Sequence, residues 1–100
     1  MPEEIRLAAD LLERRWTISI LYAANAGAVR FNEFRQSLGR VPPRTLACRL
    51  AELERAGILE RAVLDARPPR VEYRLTEHGR RLRAVIEAVR SFAGAAAGAS

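Results

Sequence analysis

The sequence predicts an α+β domain that is mostly α. Apolar residues recur at helical spacing before Gly57, alternate with polar residues between about 58 and 75, and return to helical spacing after Thr76. One hundred residues, 49% of them hydrophobic, fit a single domain with its own core. We expect one folded domain over residues 1–93 and a flexible tail over residues 94–100, because that tail contains only small residues.

The first two helices are predicted over residues 3–14 and over Trp16–Ala24. The first begins with acidic residues and ends with Arg14, a charge order that favours the helix dipole. The second is apolar on nearly every face, which is typical of a helix at the centre of a core. Gly27 is expected to end it, since glycine readily adopts the left-handed conformation that terminates helices.

Two more helices follow, separated by a glycine turn. Asn32 is a suitable N-cap for a short helix over Glu33–Leu38, and Gly39 follows as the turn residue. Pro42 and Pro43 then open a helix that runs through Arg55, because proline is well tolerated at the first helical position. One face of this helix is apolar and carries Leu46, Leu50 and Leu53.

A β-hairpin and a last helix complete the chain. Ile58–Leu64 favours a strand, and a second strand alternates cleanly through Val71, Tyr73 and Leu75. Thr76 is expected to cap the last helix, whose apolar stripe is Leu82, Val85, Ile86, Val89 and Phe92. This order of elements is a winged helix-turn-helix with an added helix at each end, a recognition helix at about 43–56 and a wing at about 58–75.

The charge balance favours an anionic partner. The formal net charge is +5, and all seventeen basic side chains are arginines. An arginine bias of the genome explains the missing lysines equally well, so the positions of the arginines are more informative than their number. Acidic residues stand where a signal peptide would be basic, and no segment is apolar enough to cross a membrane. A cytoplasmic protein without a membrane partner is expected.

The residues offer little to catalysis or to cofactor binding. Cys48 is the only cysteine and His78 the only histidine, which excludes an internal disulfide and a cysteine-rich zinc site. No pairing of a nucleophile with a base and no glycine-rich phosphate loop can be assembled. We therefore expect no enzyme activity, no metal and no cofactor.

Double-stranded DNA is the partner that the arginine positions favour. The face of the 43–56 helix opposite its leucines presents arginines and small side chains, a mixture that suits base edges and phosphates in a major groove. The alternative is an ordinary solvated face. Arg67 and Arg70 at the hairpin tip would contact the DNA backbone or the minor groove. Arg40 in the turn and Asn32 in the short helix would make supporting contacts to phosphates. The candidate DNA-binding residues are Arg44, Thr45, Cys48, Arg49, Arg67, Arg70, Arg40 and Asn32.

The apolar stripes of the terminal helices exceed what the edges of one small core require. They predict a homodimer, which would present two reading helices about one DNA turn apart. The alternative is that these residues cover their own core. The candidate interface residues are Ile5, Ala8, Leu12, Val85, Ile86, Val89 and Phe92.

The chain resembles the HxlR-type regulators, small winged-helix relatives of the MarR proteins. The resemblance rests on segments in matching order across residues about 10 to 90, namely Arg15–Thr17, Arg30–Arg35, Pro43–Leu46, Arg49–Leu50, Glu52–Glu60, Pro69–Glu77 and Gly79. It implies a homodimeric, cytoplasmic bacterial transcription regulator that dimerises through its terminal helices.

Two departures from that family limit what the resemblance implies. Many members carry a Cys-Pro pair before the first helix, and in some of them this cysteine senses oxidants. The corresponding position here is about Glu3, so this sensing chemistry is expected to be absent. The loop before the tryptophan commonly contains glycine, whereas Glu13–Arg15 here suggests that the first helix runs on further.

Two other functions and several details stay open. The winged helix could serve protein–protein interaction without DNA, or Cys48 in its basic surroundings could be a redox-responsive thiol. A small semi-buried cysteine without chemistry is the simpler interpretation, and Cys48 does not occupy the sensing position of the family. The operator, the choice between repression and activation, and an unidentified small-molecule effector are not encoded in any recognisable motif.

Overall fold

The computed structural model describes residues 1–98, and it describes the side chains of residues 1–94. Within that range the chain forms a winged helix with six helices and one two-stranded antiparallel sheet, which confirms the predicted α+β class. The elements in chain order are α1 Glu3–Leu12, α2 Thr17–Asn25, α3 Phe31–Leu38, α4 Pro43–Arg55, β1 Leu59–Leu64, β2 Arg70–Leu75, α5 Glu77–Arg80 and α6 Arg83–Gly98.

The core is built around α2, as its apolar sequence predicts. Ile20 and Leu21 are fully buried, and the inner faces of α3, α4 and the first strand close over them. Gly27 follows the helix with a φ of 109°, a conformation that side-chain-bearing residues rarely adopt. The buried apolar side chains from the rest of the described chain are Phe34, Val41, Leu46, Leu50, Leu53, Ile58, Leu59 and Ile86.

The boundary between α1 and α2 differs from the prediction. The first helix ends at Leu12 rather than at residue 14, so the expectation that it runs on further is wrong. Trp16 has a φ of 79° and precedes α2, which begins one residue later than predicted. This left-handed turn redirects the chain and lets the indole of Trp16 pack against the core, with the Arg15 guanidinium 5.1 Å from its ring centroid.

The start of α3 also differs from the prediction. The helix begins at Phe31, so Asn32 lies inside its first turn and is not the N-cap. Glu33 satisfies the open end instead, because its carboxylate accepts hydrogen bonds from the backbone N–H groups of Val29 (3.0 Å) and Arg30 (2.8 Å). By contrast, the predicted bounds of the next helix, Pro43–Arg55, are confirmed.

The hairpin lies in register from the Leu59–Leu75 pair to the Leu64–Arg70 pair, and residues 65–69 form its tip. The Arg67–Pro68 peptide bond in this tip is cis. The backbone N–H of Tyr73 donates to the carbonyl of Val29 at 2.7 Å. This bond fixes the base of the wing against the segment that leads into α3.

The last helix of the prediction is two helices in the structure. Thr76 caps α5 as expected, accepting a hydrogen bond from the backbone N–H of Gly79 at 2.9 Å, but the helix ends at Arg80 and α6 begins at Arg83. The hydroxyl of Thr76 also donates to the carbonyl of Gly57, so this residue joins both ends of the hairpin.

The C-terminal segment predicted as a tail, residues 94–100, is described only in part. Helix α6 extends through Gly98, while residues 99–100 lie outside the described part of the chain. The division into a domain over residues 1–93 and a tail therefore stays a prediction. None of the helices in residues 1–98 is both long and apolar enough to cross a bilayer.

Candidate nucleic-acid interface

The outer face of α4 has the composition that the sequence predicts. Its inner face consists of Leu46, Leu50 and Leu53, which are no more than 1% exposed. Only the opposite face of the helix is therefore open to a partner. On that side Arg44, Ala47 and Cys48 are exposed, and Thr45 is half-buried. Arg44 makes no ion pair with any residue in the described part of the chain. Its guanidinium is therefore available to an external partner.

Arg49, another candidate on this helix, is held by the protein itself. Its Nε donates to the backbone carbonyl of Arg15 at 2.9 Å, and its Nη1 donates to Oε1 of Glu52 at 2.8 Å. Only 19% of its side chain is exposed. The structure thus separates Arg49 from the free arginine on the same helix, and in this arrangement its guanidinium connects elements of the protein.

The wing and α3 meet in one groove. This groove, of about 570 Å³, is lined by Arg30, Asn32 and Gln36 on the α3 side and by Arg70 on the wing side. Asn32 is predicted as a supporting phosphate contact and Arg70 as a contact to the DNA backbone or minor groove, and the fold places both on one surface. Their proximity follows from the Tyr73–Val29 backbone bond, which fixes the wing beside the start of α3.

The remaining predicted contacts lie on exposed positions. Arg40 follows the Gly39 turn between α3 and α4, and Arg67 lies at the hairpin tip. Neither arginine forms an ion pair within the part of the chain that the structure describes. The geometry does not bring these two residues into one pocket, so each would have to contact a separate part of a long ligand.

Two arginines of this surface, Arg30 and Arg35, are not among the DNA-binding residues predicted from the sequence. Arg30 lines the groove beside Arg70, and Arg35 lines the adjoining depression with Asn32 and Gly39. Arg30 precedes the first residue of α3 and Arg35 lies in its last turn. Both positions were a usable signal, because the first helix of a helix-turn-helix crosses the DNA backbone. Arg30 precedes the predicted N-cap Asn32 and so falls outside the helix that the sequence predicts over Glu33–Leu38.

Glu33 is the one acidic side chain that lines this groove. The backbone N–H of Val29, then that of Arg30, and the charge of Arg30 hold the pKa of the Glu33 carboxyl below its usual value, although partial desolvation opposes the shift. Glu33 is therefore ionised at neutral pH. Its carboxylate is bound to the backbone N–H groups of Val29 and Arg30 before α3. Arg70 is the cation on the wing side of the groove.

The terminal helices expose most of the residues predicted for a dimer interface. Phe92 is 76% exposed and Val89 is 43% exposed, and Val85, Ile5 and Ala8 are exposed as well, while Leu12 is half-buried. Ile86 is different, because it is 5% exposed and belongs to the core of its own chain. The expectation for Ile86 is corrected accordingly. Leu7, at 59% exposure, is an apolar residue of α1 that the prediction omitted.

Cys48 and the acidic residues form no metal cluster in residues 1–98. Cys48 is a free thiol on the exposed face of α4 rather than a semi-buried side chain.

Comparison with known proteins gives consistent matches. The HxlR-like helix-turn-helix family model matches residues 11–99. The HTH-type transcriptional regulator YdeP of Bacillus subtilis is 42% identical over 82% of this chain, which spans 64% of that protein's length. YodB of B. subtilis, also an HTH-type transcriptional regulator, is 37% identical over 93% of this chain and 83% of its own.

Solved structures agree with the sequence matches. The structure of the redox regulator HypR in its oxidised form is similar with a TM-score of 0.86 and 34% identity, covering 92% of this chain and 95% of that one. The reduced form of YodB gives a TM-score of 0.82 at 36% identity, covering 93% and 91%.

Proposed function

This chain belongs to the HxlR-like helix-turn-helix family of transcriptional regulators, and we propose that it acts in the cytoplasm as a homodimer that binds a specific double-stranded DNA sequence. The observation that carries this proposal is the free Arg44 beside the small side chains of Ala47 and Cys48 on the outer face of α4. A groove reader needs a cationic hydrogen-bond donor together with side chains small enough for close approach, and this face supplies both.

The proposed mode of binding places α4 in the major groove. Arg44 would donate two hydrogen bonds to guanine O6 and N7, or to a phosphate where no guanine lies in reach. Thr45 would contact a base edge or phosphate, and Ala47 and Cys48 would lie against thymine methyl groups. Arg49 was predicted to share this role, but we assign it a different one because Arg15 and Glu52 already bind its guanidinium.

The surrounding arginines would fix the register of the protein on the duplex. Arg30, Asn32 and Arg70 share a groove that faces outward, and an inserted phosphate would meet cations from both walls. Arg40 would contact the phosphate backbone near the start of α4, and Arg67 at the tip of the wing would contact the backbone or the minor groove. Contacts of this kind give affinity that falls with salt rather than sequence preference.

Dimerisation would occur through α1 and α6. The exposed apolar side chains of Phe92, Val89 and Ile5 are costly in water, and a second copy of the chain would cover them. Two copies related by a twofold axis would present two α4 helices to successive major grooves. The expected target is thus a pseudo-palindromic duplex.

The proposal is tested by selecting bound fragments from a random library of duplexes. We expect a recovered site with two inverted half-sites separated by about one helical turn. Recovery of duplexes without any shared sequence, at an affinity that depends only on salt, would contradict specific reading. Failure to retain any duplex would favour the alternative of a winged helix that binds only proteins.

A second candidate function is redox-dependent DNA binding through Cys48. It is favoured by one observation, the exposure of this thiol on the proposed reading face, while HypR, a redox regulator, is among the similar structures. Oxidation there would add bulk and polarity where close approach to DNA is required. A Cys48→Ser variant should then keep its DNA affinity under peroxide while the unaltered chain releases DNA. Equal release by both proteins would exclude this function.

A further inference from the structure

Three side chains and one carbonyl connect the α1–α2 junction to the middle of α4. Arg49 donates through Nε to the carbonyl of Arg15 and through Nη1 to Glu52, at 2.9 and 2.8 Å. The second carboxylate oxygen of Glu52 lies 3.3 Å from Nε of Arg14. We name this set, Arg14, the Arg15 carbonyl, Arg49 and Glu52, the junction clamp.

The central pair of the junction clamp is largely shielded from water. The side chains of Arg49 and Glu52 are 19% and 22% exposed, whereas Arg14 on the outside is 57% exposed. The Arg49–Glu52 hydrogen bond is part-buried, whereas the bond from Arg49 to the Arg15 carbonyl is exposed. Shielded, charge-assisted hydrogen bonds are stronger and more directional than exposed ion pairs. The planar guanidinium of Arg49 therefore constrains both the distance and the orientation between its two partners.

The junction itself is a defined turn rather than a loose loop. Trp16 adopts a φ of 79°, which is unfavourable for a bulky residue and persists only where the surroundings hold it. Its ring packs against the core, and the backbone N–H of Thr17 donates to the Arg14 carbonyl at 3.1 Å. The carbonyl that Arg49 binds is thus held in place from both sides.

We propose that Arg49 and Glu52 are positioning residues that hold α4 at a fixed angle to α1 and so set the spacing at which a dimer reads two half-sites. The proposal rests on the proposed function. In a dimer built partly on α1, the separation of the two α4 helices depends on how each one is held against its own α1. The junction clamp is a direct polar link between α4 and the turn that follows α1, and in the proposed mode of binding it does not touch DNA.

The sharpest test replaces Glu52 by glutamine, because this change separates geometry from charge. Glu52→Gln makes the chain more positive, so electrostatics alone predicts tighter DNA binding. Loss of the clamp predicts weaker binding to the best site. Glu54→Gln is the matched control, since Glu54 lies exposed on the same helix and makes no ion pair among residues 1–94.

The measurement uses duplexes that carry two copies of the selected half-site, separated by spacers that increase one base pair at a time. We expect wild type and Glu54→Gln to share a sharp optimum. Glu52→Gln should lose about fivefold to tenfold in affinity at that optimum, the net effect of about one ordinary hydrogen bond. It should bind the duplexes with flanking spacers almost as well as the duplex with the optimal spacer. Arg49→Lys should behave in the same way, because lysine keeps the charge but not the planar geometry.

The outcomes separate the two proposals. A clear wild-type optimum that Glu52→Gln shares at full affinity would overturn the junction clamp and leave the proposed function intact, as would tighter binding that matches Glu54→Gln. A wild-type chain that prefers no duplex overturns the proposed function, and the positioning role with it. If Glu52→Gln fails to fold, Arg14→Gln is compared with Arg6→Gln, and only the former should flatten the optimum; equal profiles would refute the clamp.

Discussion

Arg44 and Arg49 lie on the same helix, but their guanidinium groups have different surroundings. Arg44 is exposed and unpaired within the described residues, whereas Arg49 is bound by a carbonyl and a carboxylate. Arg49 is less able than Arg44 to contact DNA, because releasing its guanidinium would break two charge-assisted hydrogen bonds. Residue type and spacing make Arg44 and Arg49 equal candidates for a DNA contact, and the structure favours Arg44.

Glu33 makes stability depend on pH. Its pKa is lowered in the fold, so its contribution is complete above the ordinary pKa of a glutamate and is lost as the pH falls through the lowered value. We expect Glu33→Ala to lower the melting temperature at neutral pH and to have little effect in acid, as measured by circular dichroism. Glu54→Ala serves as the control, since the side-chain carboxylate of Glu54 accepts no hydrogen bond from residues 1–94, and it should not show this pH dependence. An equal loss from Glu33→Ala at both pH values would contradict the assignment.

At the scale of elements, the start of α5 is packed tightly beneath the hairpin. A Cβ added at Gly79 would collide with the backbone carbonyl oxygen of Ile58, which cannot move without disturbing the entry into β1. We expect Gly79→Ala to destabilise the domain by about 2 kcal/mol or more, as measured by urea unfolding.

Gly94 provides the control for this substitution. It lies in α6 with open space around its Cβ position, so Gly94→Ala should be neutral or stabilise by roughly 0.5–1 kcal/mol through helix propensity. Similar unfolding free energies for the two variants would show that the contact between Gly79 and Ile58 is not rigid.

Element ends marked by proline, glycine or a capping threonine could be predicted from the sequence, whereas ends set by tertiary packing could not. Pro43 and Gly57 mark the ends of α4 closely, because both residues restrict or extend the backbone in known ways. The turn at Trp16 has no such mark, since a left-handed tryptophan is held by tertiary packing that no local pattern records. The break between α5 and α6 was missed for the same reason.

The candidate site shows the same limit. The outward face of α4 follows from helical periodicity once its leucines are assigned to the core. The engagement of Arg49 depends on a carbonyl 34 residues earlier in the chain, and no spacing rule reports such a contact. The shared groove of Asn32 and Arg70 likewise depends on the backbone bond between Tyr73 and Val29.

For the whole molecule, the exposed apolar surface of α1 and α6 makes assembly a testable property. We expect Phe92→Glu to convert a dimer into a monomer, because Phe92 is 76% exposed and a charge there could not be buried against a second copy. Sedimentation velocity should show the dimer dissociation constant rising by about thirtyfold or more. Val63→Glu is the control, since Val63 is 59% exposed on the wing and should leave the dimer intact. A Phe92→Glu protein that stays dimeric would place the interface elsewhere.

In the proposed function, α4 reads DNA sequence through Arg44. The most direct measurement is the ratio of affinities for the selected duplex and a scrambled duplex, compared between Arg44→Ala and Arg80→Ala, which remove the same charge from α4 and from α5. We expect Arg44→Ala to lower this ratio by about 10- to 100-fold, and Arg80→Ala to weaken binding to both duplexes equally and leave the ratio unchanged. An Arg44→Ala protein that keeps the wild-type ratio would contradict the assignment of α4 as the reading helix.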